Sequence, residues 1–325
     1  LLFDIRDVNT ENFEAHTLRL FRYQYDNVRV YKQFVDLLGV KVDAVKRLVD
    51  IPYLPILFFK SHQVVANGLT AQTIFESSTT TGAIPSKHFI VDTDLYRDAC
   101  VEGFEKVYGS LNDWCFLALL PSYLERGNSS LVWMVNEFMQ RSQHSNNGFY
   151  LNDFDKLTEA VLHNESVGQK TMVIGVSYAL LDWADSWNHR GVLKHTTIME
   201  TGGMKGRRKE MVKEELHGVL KQAFGVAEIH SEYGMTELLS QAYSTEKELY
   251  RCPSWMSVSV RDVNDPLKTI GKNETGVINV VDLANQYSCA FIATEDLGKV
   301  HDDGSFEVLG RMDASEMRGC NLLVG

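Results

Sequence analysis

CFLALL at Cys115–Leu120 and TMVIGVSYALLDWAD at Thr171–Asp185 decide the fold class of this chain. Both open on apolar runs well short of the roughly 20 residues that a membrane-spanning helix needs. Their continuous rather than alternating pattern marks strands covered on both faces. SLVWMVNEFMQ, DFDKLTEAVLHN and YALLDWADSWNHRG carry apolar residues at helical spacing between and after them. Strand and helix therefore alternate, as in an α/β sheet.

Upstream, QTIFES leads into the hydroxyl run Ser77, Ser78, Thr79, Thr80, Thr81, Gly82, and SKHFIVD then alternates with period two. DTDLYRDACVEGFEKVYG follows as a helix, with Asp92 or Thr93 near its N-cap and Gly109 near its C-cap. The order is strand, loop, strand, helix. PILFFKSHQVV is too apolar to be a plain loop. Two further helices are expected between Glu11 and Val49, with Phe13, Leu18, Phe21 and Tyr25, then Tyr31, Phe34, Leu37 and Leu38, facing inward as a lid or flank.

Downstream, GGMKGRRKEMVKEELHGVLKQAFG reads as a loop and an amphipathic helix with Val212, Leu216, Val219, Leu220 and Phe224 inside and Gly225 at its exit. Beyond Pro253 the texture changes to SVSVRDV, TGVINVVD, SCAFIAT, GKVHDDG and SFEVLG, short strands of a small barrel-like or sheet subdomain. The expected division is an α/β core over 1–252 and a β-rich subdomain with a tail over 253–325.

A chain of 325 residues with 44% hydrophobic content buries a sizeable core. Its formal charge of -11 argues against a nucleic-acid partner, because neutralising many phosphates needs concentrated Lys and Arg. A single nucleotide is different: a few amides and cations hold it against an unfavourable global field. Five scattered cysteines with no CxxC pair suggest neither a disulfide framework nor a zinc site, so a reducing cytoplasm is expected. The opening LLFDIRDVN has no secretory pattern, and its first Leu points to a start trimmed upstream.

Two motifs carry chemistry. SSTTTGAIPSKH, Ser77 to His88, concentrates hydroxyls, a Gly and the cation of Lys87 in one turn, a composition suited to wrapping β and γ phosphate oxygens. It lacks GxxxxGK[ST] and is no Walker loop; the plain alternative is an ordinary polar turn. SEYGMTE, Ser231 to Glu237, can set Tyr233 face-on to a base, with Thr236 and Glu237 toward phosphate and Mg²⁺. Its plain alternative is a core Tyr and a surface Glu. Both together in one chain are much less expected by accident. His88 beside Lys87 is a further phosphate candidate, whereas His144, His163, His189, His195 and His230 show no ligand spacing. Arg207, Arg208 and Lys209 read as a solvated helix start, and Trp133, Trp183 and Trp187 as core or pocket wall.

The chain resembles the adenylate-forming enzymes over about residues 70 to 320, with SSTTTGAIPSKH as phosphate loop, GGMKG as adenine-side loop, EYGMTE as base-stacking and Mg²⁺ motif, and TEDLG and GRMD as ribose and hinge motifs. The resemblance implies the N-terminal domain of that fold, layered α/β sheets with a small C-terminal β-rich subdomain. It further implies ATP and Mg²⁺ as cofactors. Tyr233 and Gly234 would then stack on adenine, Gly202 and Gly203 border it, Asp296 hold the ribose hydroxyls, Arg311 reach ribose or phosphate, Thr236 contact the reacting phosphate and Glu237 coordinate Mg²⁺.

PSYLERGNSSLVWM, GVSYALLDWAD, METGGMKGRRKE and SEMRGCNLLVG are more specifically similar to the acyl-protein synthetases of bacterial luminescence systems. That likeness implies activation of a carboxylic acid, here a fatty acid, and its transfer to a cysteine near the C-terminus, matched by Cys320, with an acyl reductase or acyl-transfer protein as partner. An acyl-CoA ligase with CoA as acceptor and a catalytically silent nucleotide-binding or reductase-partner scaffold are the alternatives. The chain stops just past the hinge motif, where the superfamily continues into a mobile C-terminal domain of roughly 100 residues carrying a catalytic Lys. Lys87, Lys205 or Arg311 is then expected to supply that charge, or a partner subunit to support activity.

Overall fold

The computed structural model describes residues 1–78, 84–121, 127–189, 193–204, 207–209 and 211–312. The chain forms two compact units, one of Leu1–Leu69 with Ser254–Gly325 and one of Thr70–Pro253. The first begins with helices α1 (Phe13–Asn27) and α2 (Arg29–Leu37), the short strand β1 (Leu54–Pro55) and the one-turn helix α3 (Phe58–Ser61).

The second unit opens with the antiparallel hairpin β2 (Thr73–Glu76) and β3 (Lys87–Ile90). Helix α4 (Thr93–Tyr108) follows. The Asp92 side chain accepts from the Asp94 and Leu95 amides at its start, and Gly109 stops it at φ 80°. β4 (Cys115–Leu119) and β6 (Thr171–Val176) are buried along their whole length and run parallel, Cys115 opposite Thr171 and Leu119 opposite Gly175. β5 (Gly148–Phe149) adds to β4, while β7 (Thr196–Thr201) and β8 (His230–Tyr233) extend the parallel sheet beyond β6. β9 (Ala242–Ser244) and β10 (Tyr250–Arg251) continue it antiparallel.

Helices cover both faces of this sheet. Glu232 and Tyr243 are register partners and share one face, and Tyr243 meets Phe104 of α4 there. Phe104, Phe116 and Phe138, the last from α5 (Ser130–Ser142), sit 5.0–5.5 Å apart in the same layer. Ser231 and Ser244 point the other way, toward α8 (Lys213–Phe224). That layer is closed by Trp183 of α7 (Ser177–Ser186), whose ring lies 4.4 Å from Phe224 and whose indole N–H donates to Thr158 of α6 (Phe154–Val167). Each buried aromatic contributes roughly 1.5–3 kcal/mol, so these two layers are the core of the unit.

In the first unit β11 (Met256–Arg261), β12 (Thr275–Asp282), β13 (Phe291–Val300) and β14 (Phe306–Arg311) form an antiparallel meander, to which β1 adds in parallel, Leu54 opposite Ile292. The sequence division assigned residues 1–69 to the α/β core; in the structure they group with the β-rich segment. The physical reason is specific. Gln24, fully buried in α1, donates to the Asn285 carbonyl at 2.7 Å and accepts from the Ala290 amide at 2.9 Å. Tyr31 stacks on Phe291 at 5.7 Å. Apolar spacing placed Leu37 inside, but it is 87% exposed.

Candidate active site

The hydroxyl-rich turn is closed by a double tie at its base. The Ser77 amide donates to the Ser86 carbonyl at 3.0 Å, and the Ser86 amide donates to the Ser77 hydroxyl at 2.8 Å. One residue further out, Glu76 and Lys87 face each other in register and their side chains pair at 3.2 Å. Lys87 is half exposed, so this pair contributes at most about 1 kcal/mol and leaves the ammonium able to exchange partners. Ser77 and Ser78 are half-buried; Thr79, Thr80, Thr81 and Gly82 lie outside the described residues.

His88 carries the hairpin to the second motif. Its ring is 1% exposed, and Nδ1 lies 2.8 Å from the Thr236 carbonyl oxygen. Thr236 is half-buried and Glu237 only 4% exposed, so the expected surface position of a plain Glu does not apply. Tyr233, at the end of β8, is 7% exposed and meets Tyr250 edge-on at 5.9 Å. Its neighbour Gly234 is crowded by side chains: a Cβ there would stand 2.3 Å from Glu232 Oε1 and 3.3 Å from Gln241 Cγ.

Two buried carboxylates flank these motifs on opposite faces of the sheet. Glu200, at the end of β7, pairs with Lys213 at 2.7 Å. Burial pushes its pKa up, but the Lys213 charge, with hydrogen bonds from His217, Lys213 and Ser231, outweighs that and brings it down to about 2. Lys213 also donates to the Tyr250 hydroxyl, and His217 Nδ1 sits 3.4 Å from Glu248. Among the described residues no cation pairs with Glu232, and Lys213 acts on it only weakly. Burial raises the Glu232 pKa to about 7, and the Thr201 hydroxyl, donating to Oε2 at 2.5 Å, only partly opposes the shift. Thr201 leads into Gly202, which adopts φ 73° and whose carbonyl accepts from Ser177 at 3.2 Å. Gly202 and Gly203 are exposed.

The other unit holds Asp296 and Arg311, which are paired across β13 and β14. The Asp296 amide donates to the Thr294 hydroxyl at 3.1 Å, while Arg311 Nη2 lies 3.3 Å from Glu295. Arg261, buried at the end of β11, donates to the Ile278 and Thr294 carbonyls and to Asn279 Oδ1. Cys320 and Lys205 lie outside the described residues.

Sequence reading missed Glu200, Lys213, His217, Glu232 and Arg261. METGG and SEYGMTE held the two carboxylates in plain view, but nothing in a string of letters says that a Glu is buried. A charged residue inside an apolar strand was the available signal. α8 shows the same failure from the other side: Leu216, Leu220 and Phe224 are buried as expected, Val212 and Val219 are exposed, and His217 is buried in their place.

Among the described residues no three His, Cys, Asp or Glu gather as a metal cage. A single buried carboxylate such as Glu237 fits an oxygen-liganded cation that takes its other ligands from phosphate and water.

The parallel sheet with helices on both faces, the hydroxyl-turn hairpin and the meander define the fold of the adenylate-forming enzymes. The solved structures that it resembles include a 2-hydroxyisobutyryl-CoA ligase in complex with 2-HIB-AMP and CoA, with a TM-score of 0.68 and 13% identity, covering 94% of this chain and 68% of that one. An ATP-bound RpMatB-BxBclM chimera gives a TM-score of 0.57 at 16% identity, and a luciferase-like enzyme from the nonluminescent mealworm Zophobas morio 0.51 at 14%. These two cover 76% and 85% of this chain and 49% and 62% of their own. This chain thus spans about half the length of the chimera. Residues 5–325 match the family described as acyl-protein synthetase, LuxE, and the chain belongs to that family. No curated protein matches it.

Proposed function

We propose that this chain activates a carboxylic acid with ATP and passes the acyl group to a thiol. The observation that carries the reading is the His88–Thr236 contact, which joins the hydroxyl-turn hairpin to the motif proposed to hold the reacting phosphate, within one unit. Family membership over residues 5–325 supports the same chemistry.

In the proposed reaction the substrate carboxylate attacks the α-phosphorus of ATP in line, and pyrophosphate leaves. Ser77, Ser78, Thr79, Thr80, Thr81 and Gly82 receive the departing charge, with Lys87 exchanging Glu76 for phosphate oxygens. Tyr233 and Gly234 take the adenine beside Gly202 and Gly203, Thr236 contacts the reacting phosphate, and Asp296 and Arg311 are the proposed ribose and phosphate contacts. Glu237 would hold Mg²⁺, which would supply charge neutralisation when bound. The acyl adenylate is a mixed anhydride; a thiolate adds to its acyl carbon and AMP leaves, giving a thioester.

Cys320 is the proposed thiol, a fatty acid the proposed substrate and an acyl reductase the proposed recipient. The scattered cysteines, with no CxxC pair, support a reducing, cytoplasmic setting. Among the described residues no helix is long and apolar enough to cross a membrane. CoA as acceptor is the second reading, favoured by the likeness to a CoA ligase.

The test is ATP–pyrophosphate exchange across a panel of acids, followed by labelling with the best one. Hydroxylamine-labile label on the protein that disappears in C320S, with exchange intact, supports the enzyme-bound thioester. AMP release that requires CoA supports the second reading, and absence of exchange with every acid would sink both.

A further inference from the structure

The hairpin and the 231–237 motif are far apart in sequence, and the His88 side chain bonds one to the other. A carbonyl oxygen only accepts, so Nδ1 carries the hydrogen and donates it to Thr236. That bond acts on more than one residue. The peptide joining Thr236 to Glu237 is planar and trans, so holding its C=O fixes its N–H in the opposite direction and sets where the two adjacent side chains leave the backbone. A following turn, in which the Leu238 amide donates to the Met235 carbonyl at 3.1 Å, leaves that peptide little freedom to rotate by itself.

The other end of the imidazole's attachment is equally fixed. His88 pairs with Phe75 in the hairpin register, one step inside the Glu76–Lys87 pair and two inside the Ser77–Ser86 tie. The ring is 1% exposed, so its Nδ1–H has little access to water, and a part-buried carbonyl that loses its donor loses a hydrogen bond. Hairpin, ring and peptide thus form one bonded path from the Ser77–Ser86 tie to the Thr236–Glu237 peptide.

We propose that His88 is a positioning residue for catalysis: its Nδ1–H holds the Thr236–Glu237 peptide in register with the β2–β3 hairpin, so that the Thr236 and Glu237 side chains are held where a triphosphate and its divalent cation would meet them. This rests on the activity proposed above and deepens it. His88 itself touches neither nucleotide nor cation in this arrangement; it replaces the phosphate contact expected of it from its place beside Lys87.

Asn and Gln separate position from polarity. The Asn side-chain amide nitrogen stands where Nδ1 does, whereas that of Gln stands nearer Nε2. H88A, H88N and H88Q are compared in the full chain by two measurements. The first is hydrogen exchange of amides 231–239 in ligand-free protein. The second is the ATP KM, and the Mg²⁺ concentration for half-maximal pyrophosphate exchange.

We expect H88A and H88Q to lose at least tenfold in protection of those amides and to need at least fivefold more ATP and Mg²⁺. H88N is expected to stay within threefold of wild type in both. A histidine serving only the core would lower the unfolding midpoint in all three variants without changing the Mg²⁺ requirement. The proposal is overturned if H88N behaves as H88A, or if H88A keeps wild-type protection and Mg²⁺ dependence within twofold. Should wild type show no exchange, the activity reading falls, while amide protection still decides the coupling. Should H88A not fold, the Asn–Gln contrast carries both measurements.

Discussion

Lys213 Nζ stands 2.7 Å from Glu200 Oε1, and the Glu200 side chain is 2% exposed. Removing one partner of a buried pair costs far more than the pair contributes, because the other charge stays behind without compensation. K213M is therefore expected to destabilise the protein by about 3–5 kcal/mol, and E200Q/K213M to recover much of that loss. Urea unfolding of the three proteins measures it. A K213M midpoint equal to wild type would show that Glu200 finds another partner or a proton.

Protonation of Glu200 gives the same pair an acid limit. Its folded pKa of about 2 lies below the ordinary 4.5, so the stabilisation is complete above pH 4.5 and is lost as pH falls from there toward 2. Acid unfolding of wild type should thus be steeper in this window than that of E200Q/K213M. Parallel curves would remove the ion pair from the account.

Glu232 should behave in the opposite sense. Its folded pKa, raised to about 7, exceeds the ordinary 4.5, so the folded state binds the extra proton and loses stability as pH rises from 4.5 to 7. E232Q keeps the Thr201 hydroxyl partnered and carries no charge. It is expected to gain on wild type across that window, by up to ~3 kcal/mol at pH 8, and to gain nothing at pH 4.5. Thermal midpoints at the two pH values check this, and a difference independent of pH would refute it.

Gly234 faces the same carboxylate. In G234A the new methyl would occupy a point 2.3 Å from Glu232 Oε1, so the carboxyl that accepts from Thr201 through Oε2 must shift. We expect a loss of about 1–3 kcal/mol, typical of overpacking. G234A/E232A should restore most of it, and a single variant as stable as wild type would contradict the crowding.

For Glu237 the expected readout is catalytic. E237A should reduce pyrophosphate exchange at least tenfold, a barrier increase of about 1.4 kcal/mol or more, and E237D should do so less. Exchange unchanged at limiting Mg²⁺ would remove Glu237 from the cation site.

Much of the local structure was legible because its causes are local. Asp92 and Gly109 bracket α4 through bonds and dihedrals that lie within a few residues of themselves. β4 and β6 are buried on both faces, as unbroken apolar runs require. Side-chain spacing failed where polar groups are buried by distant partners. Gln24 is inside because carbonyl and amide groups near residue 288 need it, and Leu37 is outside although it occupies a helical apolar position. His217 displaces Val219 from the inner face of α8 because Glu200 and Ser231 lie beneath it.

From residue order alone came the α/β class, the hydroxyl turn between two strands and the Tyr233–Glu237 motif, all properties of short stretches of chain. Folding decided which strands neighbour each other, that residues 1–69 join the meander, and that Glu200 is charged where Glu232 holds a proton at neutral pH or just below. Ionisation depends on what surrounds a carboxyl in three dimensions: Lys213, from a helix, keeps Glu200 charged, while at Glu232 burial outweighs the opposing Thr201 hydroxyl.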